Sequence, residues 1–553
     1  MASIYDQRPW LSQYGPGQPP DIVPEHAHAL EMFAATVRRT PEAPVIRYFD
    51  GVITRGELDV LSDAFACGLR DAGVGDGDRV ALYLQNVPQF VIALLGVWKA
   101  GAIAVSVNPM NKQRELDELL RDCGASAVVC MENLYANVHA VFDGPVVTTS
   151  ELEYQSRNDE RALGGAQRVD CMGAQDMGDL IARYSGRRPP MVAPEPNDVA
   201  VLTYTSGTTG PPKGAMITHR NVVFNAQTYR DWMELGPHDV ILGVAPLFHV
   251  TGLIGHIGVA LLEGAPLVLL HRFEASLVID TIRETGATFT VGSITVFIAL
   301  LNAPTADRAA LATLTKVYSG GAPIPPSTIR AFAARFGPYI HNIYGLTETT
   351  SPSHAVPLHA HAPVDENSGA LSVGVPVFNT VVRILGEDGA ELPPGEIGEI
   401  VISGPQVVAG YWRKPEEAAE AIRDGGLHTG DMGYMDADGW FYVVDRKKDQ
   451  INAGGYKVWP REVEDVLYEH EAVREAAVVG VPDEYRGETV KAFVSLRPGR
   501  RVTSEELVTY CEARLAAYKY PREVTLLEEL PKTASGKLLR RELRELHCPT
   551  RDA

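Results

Sequence analysis

Two stretches of this chain set a lysine among small, flexible residues: "YTSGTTGPPKG" at 204–214 and "PKTASGK" at 531–537. In the first, Thr205, Ser206, Thr208 and Thr209 supply hydroxyl donors, and Lys213 adds a positive charge. Gly207 and the other glycines let backbone N–H groups come close to an anion, which is how a loop cradles phosphate oxygens. The G-x-x-x-x-G-K-[ST] pattern is absent, because Pro212 precedes Lys213 and Gly214 follows it. The second stretch places Lys537 after a Ser-Gly pair, near the chain's end. Nothing in its own composition says why a second such lysine is needed.

The elements around these residues read as α/β. Val201–Tyr204 is an apolar strand feeding the loop, and Thr218 is placed to cap a helix starting near His219. "RVALYL" (79–84), "PQFVIALLGVWKAG" and "AIAVSV" (102–107) form a strand–helix–strand unit. "VILGVAP" (240–246), "LIGHIGVALLEG" (253–264) and "APLVLL" (265–270) repeat the pattern. Two similar subdomains, or simple recurrence of a common unit, account for this equally well; both give buried parallel sheets covered by helices. Residues 150–198 are polar and proline-rich and read as a surface excursion. Near residue 445 the pattern turns compact α+β. "PREVEDVLYEH" is a helix, "EAAVVGV", "KAFVSLR" and "VTLLEEL" are strands, and "SEELVTYCEARLAAY" is a helix with a Ser N-cap. This divides the chain into a large domain, 1–447, and a small one, 448–553, with the charged stretch 445–449 as hinge.

Composition narrows the class. The 553 residues are 45% apolar and 22% charged, which suits a soluble globular protein. A net charge of −20 argues against wrapping a nucleic acid. The six cysteines form no C-x-x-C pair, so neither a disulfide scaffold nor a zinc site is expected; reduced thiols suit the cytoplasm. The N-terminus has no apolar signal core. The most apolar stretches, 91–107 and 253–270, are broken by Lys99 and by His256 and Glu263, so no membrane span is expected.

"TSGTTGPPKG" resembles the phosphate-loop motif of the adenylate-forming superfamily, which includes acyl-CoA synthetases, peptide-synthetase adenylation domains and firefly-type luciferases. "YGLTE" (344–348), "HTGD" (428–431), "DRKKDQINAGGYKV" (445–458) and "PKTASGK" (531–537) match further motifs of that family in order. The resemblance implies a large domain of two similar βαβ-type subdomains plus a β-barrel-like subdomain, and a small mobile α+β C-terminal domain. It implies two half-reactions. A carboxylate attacks the α-phosphate of ATP, giving an acyl-adenylate and pyrophosphate; a thiol, usually of coenzyme A, then takes the acyl group.

Charge neutralisation and alignment are what the first half-reaction needs. A carboxylate beside a triphosphate is repulsive unless a cation lies between them, which makes Glu348 the expected Mg²⁺ ligand. The resemblance assigns Thr347 to the α-phosphate and Tyr344 to stacking on adenine. It puts Gly320, Gly321 and Ala322 of "SGGAPIP" along the base edge. Asp431 is expected to accept the ribose hydroxyls, with Arg446 as second ribose contact, the alternative for Asp431 being a turn residue. His249 in "PLFHVTG" falls where relatives place an aromatic residue between the acyl and ATP sites. Lys537 matches the lysine that bridges the attacking carboxylate and the α-phosphate. Lys448 matches the hinge about which the small domain rotates, exchanging Lys537 for "NAGGYK". There Gly454 and Gly455 leave room for a pantetheine arm and Lys457 meets coenzyme A phosphates. The family pattern opens the hinge motif with Gly where this chain has Asp445.

The acyl pocket is expected from Val250 to Gly255, 292–297, Gly320 and Gly345, segments without a charged side chain. An apolar lining suits a hydrophobic acid better than an amino acid, whose ammonium needs an acidic partner. The leading expectation is a medium- or long-chain fatty acyl-CoA synthetase using ATP, Mg²⁺ and coenzyme A. An aryl- or cinnamate-type ligase and a carrier-charging or luciferase-like adenylate former are the alternatives. A homodimer is left open, and the chain's ending soon after Lys537 is read as no fused carrier domain.

Overall fold

The computed structural model describes residues 3–205, 212–365, 369–446, 449–453, 456–483, 487–533 and 538–547. Strands β1 (Pro44–Tyr48) and β2 (Gly51–Thr54) form a hairpin. There follow β3 (Arg79–Tyr83), β4 (Ile103–Ser106), β5 (Ala127–Met131), β6 (Val146–Thr149), β7 (Gln175–Asp176), β8 (Val199–Tyr204) and β9 (Gly214–Thr218). These last seven make one sheet, in the order β7-β6-β5-β3-β4-β8-β9, parallel except for the β8–β9 hairpin.

The chain then runs through β10 (Ile241–Leu242), β11 (Leu267–Leu269), β12 (Phe289–Gly292), β13 (Lys316–Gly320), β14 (Ile340–Tyr344), β15 (His354–Ala355) and β16 (Val375–Pro376). The second sheet has the order β16-β15-β14-β13-β12-β10-β11-β1-β2. Its stretch β14-β13-β12-β10-β11-β1-β2 repeats the first sheet strand for strand, including the terminal antiparallel hairpin. In each repeat the hairpin ends in a threonine that caps a helix, Thr54 before Arg55–Asp71 and Thr218 before His219–Trp232, both in capping boxes. The hairpins are exchanged. β1–β2 completes the sheet of the second repeat, and β8–β9 completes that of the first. The two subdomains are therefore a true internal repeat, and the phosphate-loop hairpin hangs on one sheet while its helix opens the other.

Both crossover helices expected from the apolar runs are present and end in a left-handed glycine, Gly101 (φ 80°) and Gly264 (φ 78°). The first, Pro88–Lys99, is buried almost throughout, as a helix hydrophobic on all sides should be. The charge that interrupts it is paired: Lys99 meets Asp59 at 2.6 Å and Asp63 at 2.7 Å. The second run is not one helix but an α–π–α succession, with Leu253–Gly258 as the π segment. Its fully buried His256 accepts the Ala245 N–H at 3.2 Å through Nε2. Desolvation lowers the His256 pKa to about 4, so the ring is neutral. Among the described residues no helix is long and apolar enough to cross a membrane.

Strands β17 (Val381–Leu385), β18 (Gly398–Ser403), β19 (Ile422–Arg423), β20 (Gly426–Met435) and β21 (Phe441–Arg446) form an antiparallel sheet where the expectation placed a β-barrel-like subdomain. The N-terminal segment straps this unit to the rest. The Tyr5 hydroxyl donates to the Leu392 carbonyl at 2.6 Å, and Trp10 packs edge-on against Phe441. From residue 451 the chain builds its own sheet and its own apolar clusters. Strand β24 (Val473–Asp483), which follows β22 (Ile451–Ala453) and β23 (Tyr456–Val458), sends alternate side chains to opposite faces. Ala476 and Val478 join one cluster, Ala477 and Val479 the other.

Three local expectations are corrected. "GAMIT" continues the phosphate-loop motif as strand β9, so the order is strand–loop–strand–helix rather than strand–loop–helix. Residues 150–198 do not stay on the surface: β7 pairs with β6, and Met177, Leu180 and Ile181 of helix Met177–Arg183 are buried. Alternation of so few apolar residues within a polar stretch hides such an element. The helix Ser504–Glu512 is capped by Thr503, not by Ser504, because Glu506 at the third helical position reaches back to the Thr503 N–H at 2.8 Å.

Candidate active site

The phosphate-loop hairpin is closed where β8 and β9 pair. The Thr205 N–H donates to the Lys213 carbonyl at 2.9 Å, and the Lys213 N–H to the Thr205 hydroxyl at 3.2 Å. Ser206, Gly207, Thr208 and Thr209, between these anchors, lie outside the described residues. Just below the loop, the Tyr204 hydroxyl donates to Asp122 at 2.6 Å, and Lys414 meets the other Asp122 oxygen at 2.6 Å.

The helix after the hairpin carries two asparagines one turn apart, on the same face. Asn221 donates to the Pro405 carbonyl at 2.8 Å, and Asn225 to the carbonyls of Thr349 and Thr350 at 3.1 and 2.8 Å. The second pair of carbonyls belongs to the turn that follows β14 and carries Thr347 and Glu348. That turn is a short 3-10 helix, Thr347–Thr349, and Thr350 and Ser351 follow with positive φ. Among the described residues no longer helix opens at these threonines. Glu348 is half-buried. One carboxylate oxygen accepts the Tyr411 hydroxyl at 2.7 Å, and its carbonyl accepts the Val408 N–H at 3.0 Å. Burial, then the Glu348 carboxylate, push the Tyr411 phenol well above its ordinary range, so it remains a donor.

A pocket opens beside this turn. His249, Gly320, Gly321, Tyr344, Gly345 and Thr347 line it together with Val250, Thr251 and Ser351. Six of the residues singled out in the sequence thus converge on one cleft from separate segments. Gly320 ends β13 against β14, where a Cβ would sit 2.3 Å from the Ile343 carbonyl oxygen. Gly320→Ala is expected to cost about 1–3 kcal/mol by forcing the strands apart; side-by-side denaturant unfolding of the two proteins checks it. Tyr344 also reaches the β20 strand: its hydroxyl donates to Asp431 at 2.7 Å. Asp431 is buried and lies within a strand, paired in register with Arg446 of β21, so the turn alternative fails. His249 caps the short helix Val250–Gly252, its Nδ1 accepting the Thr251 N–H at 3.3 Å.

The AMP-binding enzyme family model matches residues 33–412. The chain belongs to this family. The family's C-terminal domain model matches 462–537. A long-chain-fatty-acid–CoA ligase of Bacillus subtilis (strain 168) is 38% identical, with 98% of each chain covered. A feruloyl-CoA synthase of Amycolatopsis is 37% identical over 92% of this chain and 96% of its own. Among solved structures, ATP-bound MatB from Rhodopseudomonas palustris superimposes with a TM-score of 0.84 at 28% identity, covering 95% of this chain and all of that one.

In this AMP-binding enzyme Ala322 does not line the pocket, although its neighbours Gly320 and Gly321 do. Of the expected acyl-pocket segments, Val250, Gly320 and Gly345 line it, but 292–297 does not: Ile294, Val296 and Phe297 pack into the main apolar core. Gly255 is likewise closed off, a Cβ there lying 2.9–3.0 Å from Val291 and the Tyr229 ring. Lys448, Gly454, Gly455 and Lys537 lie outside the described residues; of Arg446 and Lys457 only the strand backbone is described. Asn221, Asn225 and Tyr411 were not singled out from the sequence. The spacing of the two asparagines on a capped helix is a usable signal. Tyr411, in "GYWRKPEE", carries none that points to Glu348.

Proposed function

We propose that the protein is an ATP-dependent carboxylic acid–coenzyme A ligase acting on a medium- or long-chain aliphatic acid. In the first half-reaction a carboxylate oxygen bonds to the α-phosphorus while the bond to pyrophosphate breaks. In the second, the coenzyme A sulfur bonds to the acyl carbon, the bond to AMP breaks, and the thiol gives up its proton. The observation that carries the reading is the convergence of Thr347, Tyr344, Gly320 and His249 on one pocket beside Glu348 and the phosphate-loop hairpin. In this reading the pocket, lined by glycines with Tyr344 and Thr347, takes the adenylate end of the ligand. The tail would run on past Val250 and Ser351.

Within this reading Thr347 bonds the α-phosphate, Tyr344 stacks on adenine, and Asp431 with Arg446 holds the ribose. Lys213 and the loop residues Ser206 to Thr209 hold the outer phosphates, and His249 separates the acyl and nucleotide ends. Glu348 fits Mg²⁺: among the described residues only one of its carboxylate oxygens has a partner, Tyr411. An ion bound there neutralises phosphate charge. Gly454, Gly455 and Lys457 receive the pantetheine arm and phosphates of coenzyme A. The small domain, 448–553, turns about Lys448 to bring first Lys537 and then this segment to the pocket. The cytoplasm, which supplies ATP, coenzyme A and reducing conditions, suits the enzyme.

The test is a panel of acids assayed for coenzyme A-dependent AMP release. Saturated acids of medium and long chain are expected to exceed benzoate and cinnamates by roughly tenfold or more in kcat/KM. The similarity to a feruloyl-CoA synthase favours a second reading, an aryl acid ligase; a reversed order in the panel would establish it. Absence of turnover with every acid tested in the presence of coenzyme A would leave a carrier-charging adenylate former.

A further inference from the structure

We propose that Tyr411 is a positioning residue that presents the Glu348 carboxylate to the metal and keeps the Lys213 ammonium off it. The proposal rests on Glu348 being the magnesium ligand. Tyr411 lies between two opposite charges that the reaction needs apart. Its hydroxyl donates to one Glu348 oxygen at 2.7 Å, and the Lys213 Nζ stands 5.0 Å from the centroid of its ring. The side chain is held there, being only 7% exposed.

The backbone around it ties the same two parts together. The Val408 N–H donates to the Glu348 carbonyl at 3.0 Å. Four residues on, the Trp412 N–H donates to the Gly214 carbonyl at 2.8 Å, next to Lys213. Between them the Met216 N–H donates to Gly410 and the Ala409 N–H to Met216. Residues 408–412 thus form a rung joining the phosphate-loop hairpin to the Glu348 turn, and Tyr411 is the side chain on that rung facing both charges.

The physical need is plain. Lysine is a flexible point cation, and in a shared cleft it would fold onto a neighbouring carboxylate. A direct Lys213–Glu348 pair would take the ammonium away from phosphate and the carboxylate away from Mg²⁺ together. The aromatic face gives the ammonium another favourable seat. The hydroxyl engages one carboxylate oxygen and leaves the other for the ion.

The test measures ATP binding by calorimetry without acid or coenzyme A, across a Mg²⁺ series. Wild type, Tyr411→Phe, Glu348→Gln and the double variant are compared at a temperature where thermal melts show all four folded. Wild-type affinity is expected to rise with Mg²⁺. In Tyr411→Phe the Mg²⁺ concentration for half the rise should move up about tenfold, the scale of one lost hydrogen bond to a charged group. Affinity without Mg²⁺ should stay within about twofold. Glu348→Gln should lose the Mg²⁺ response, and the double variant should match it. An unshifted midpoint in Tyr411→Phe beside a lost response in Glu348→Gln overturns the positioning role alone. So does a uniform weakening at every Mg²⁺ concentration, the mark of a merely structural tyrosine. A full response in Glu348→Gln overturns the metal assignment itself, and the positioning role with it.

Discussion

Lys537→Ala is expected to lower acid-dependent pyrophosphate release by about 10²–10³-fold, the scale on which one donor to a developing oxyanion acts. Thioester formation from supplied acyl-adenylate should fall by less than about threefold in the same protein, because in the proposed mechanism the lysine acts only while the acyl–phosphate bond forms. Lys213 and Lys537 have different roles in the proposed reaction. In that proposal Lys213 sits at the foot of the phosphate loop on the large domain, whereas Lys537 would travel with the small one. The described residues flanking Lys537 show why the variant should remain folded. Lys532 and Leu538 form a backbone bridge, and the Leu539 N–H donates to the Pro531 carbonyl at 2.9 Å. Lys532 is ion-paired with the buried Glu475, and Arg540 with Glu464 at 2.8 Å. Other cations thus tie down the described chain on either side of residues 534–537, which supports a folded variant. Lys532→Ala is the matching control. It strips the partner from a buried carboxylate and should destabilise the small domain, lowering both half-reactions together. Equal loss of both half-reactions in Lys537→Ala would refute the moving-lysine reading.

What the residues themselves disclosed follows from how local each feature is. The loop motif that carried the family resemblance stood out because it is contiguous: donors, glycines and cation within ten positions, between an apolar strand and a threonine cap. The crossover helices were legible because a fully buried helix writes a continuous apolar run. Strand β9 was not, because a five-residue strand with glycine, alanine and threonine looks like the tail of the loop it ends. The exchange of hairpins between repeats leaves no local trace either; β1 and β11 pair although more than two hundred residues separate them. The same holds for the site. Tyr344, Thr347 and Glu348 share one strand end and read as a unit. The contact of Tyr411 with Glu348 spans 63 positions and exists only because residues 408–412 return to the phosphate hairpin.

Asp431→Ala is expected to raise the KM for ATP about 10²-fold while kcat stays within about fivefold. Loss of a buried acceptor serving charge-assisted hydrogen bonds is worth roughly 1.5–3 kcal/mol each, and in the proposed site the ribose would make these bonds alike in ground state and transition state. Uniform binding of that kind appears in KM rather than kcat. The structure adds a second contribution. One Asp431 oxygen already accepts the Tyr344 hydroxyl at 2.7 Å, so in the proposed site the carboxylate would fix the ring expected to stack on adenine as well as the sugar beside it. Removing it leaves the Tyr344 hydroxyl without that acceptor and frees the ring to tilt. Tyr344→Phe alone, keeping the ring and losing the hydroxyl, should raise the ATP requirement by only a few-fold. The double variant should be little worse than Asp431→Ala, since the Tyr344–Asp431 bond is already lost in the single change. Steady-state kinetics in ATP for the three variants separate the cases. Full additivity would mean that the tyrosine and the carboxylate bind the nucleotide independently, and unchanged ATP kinetics in Asp431→Ala would remove it from the ribose site.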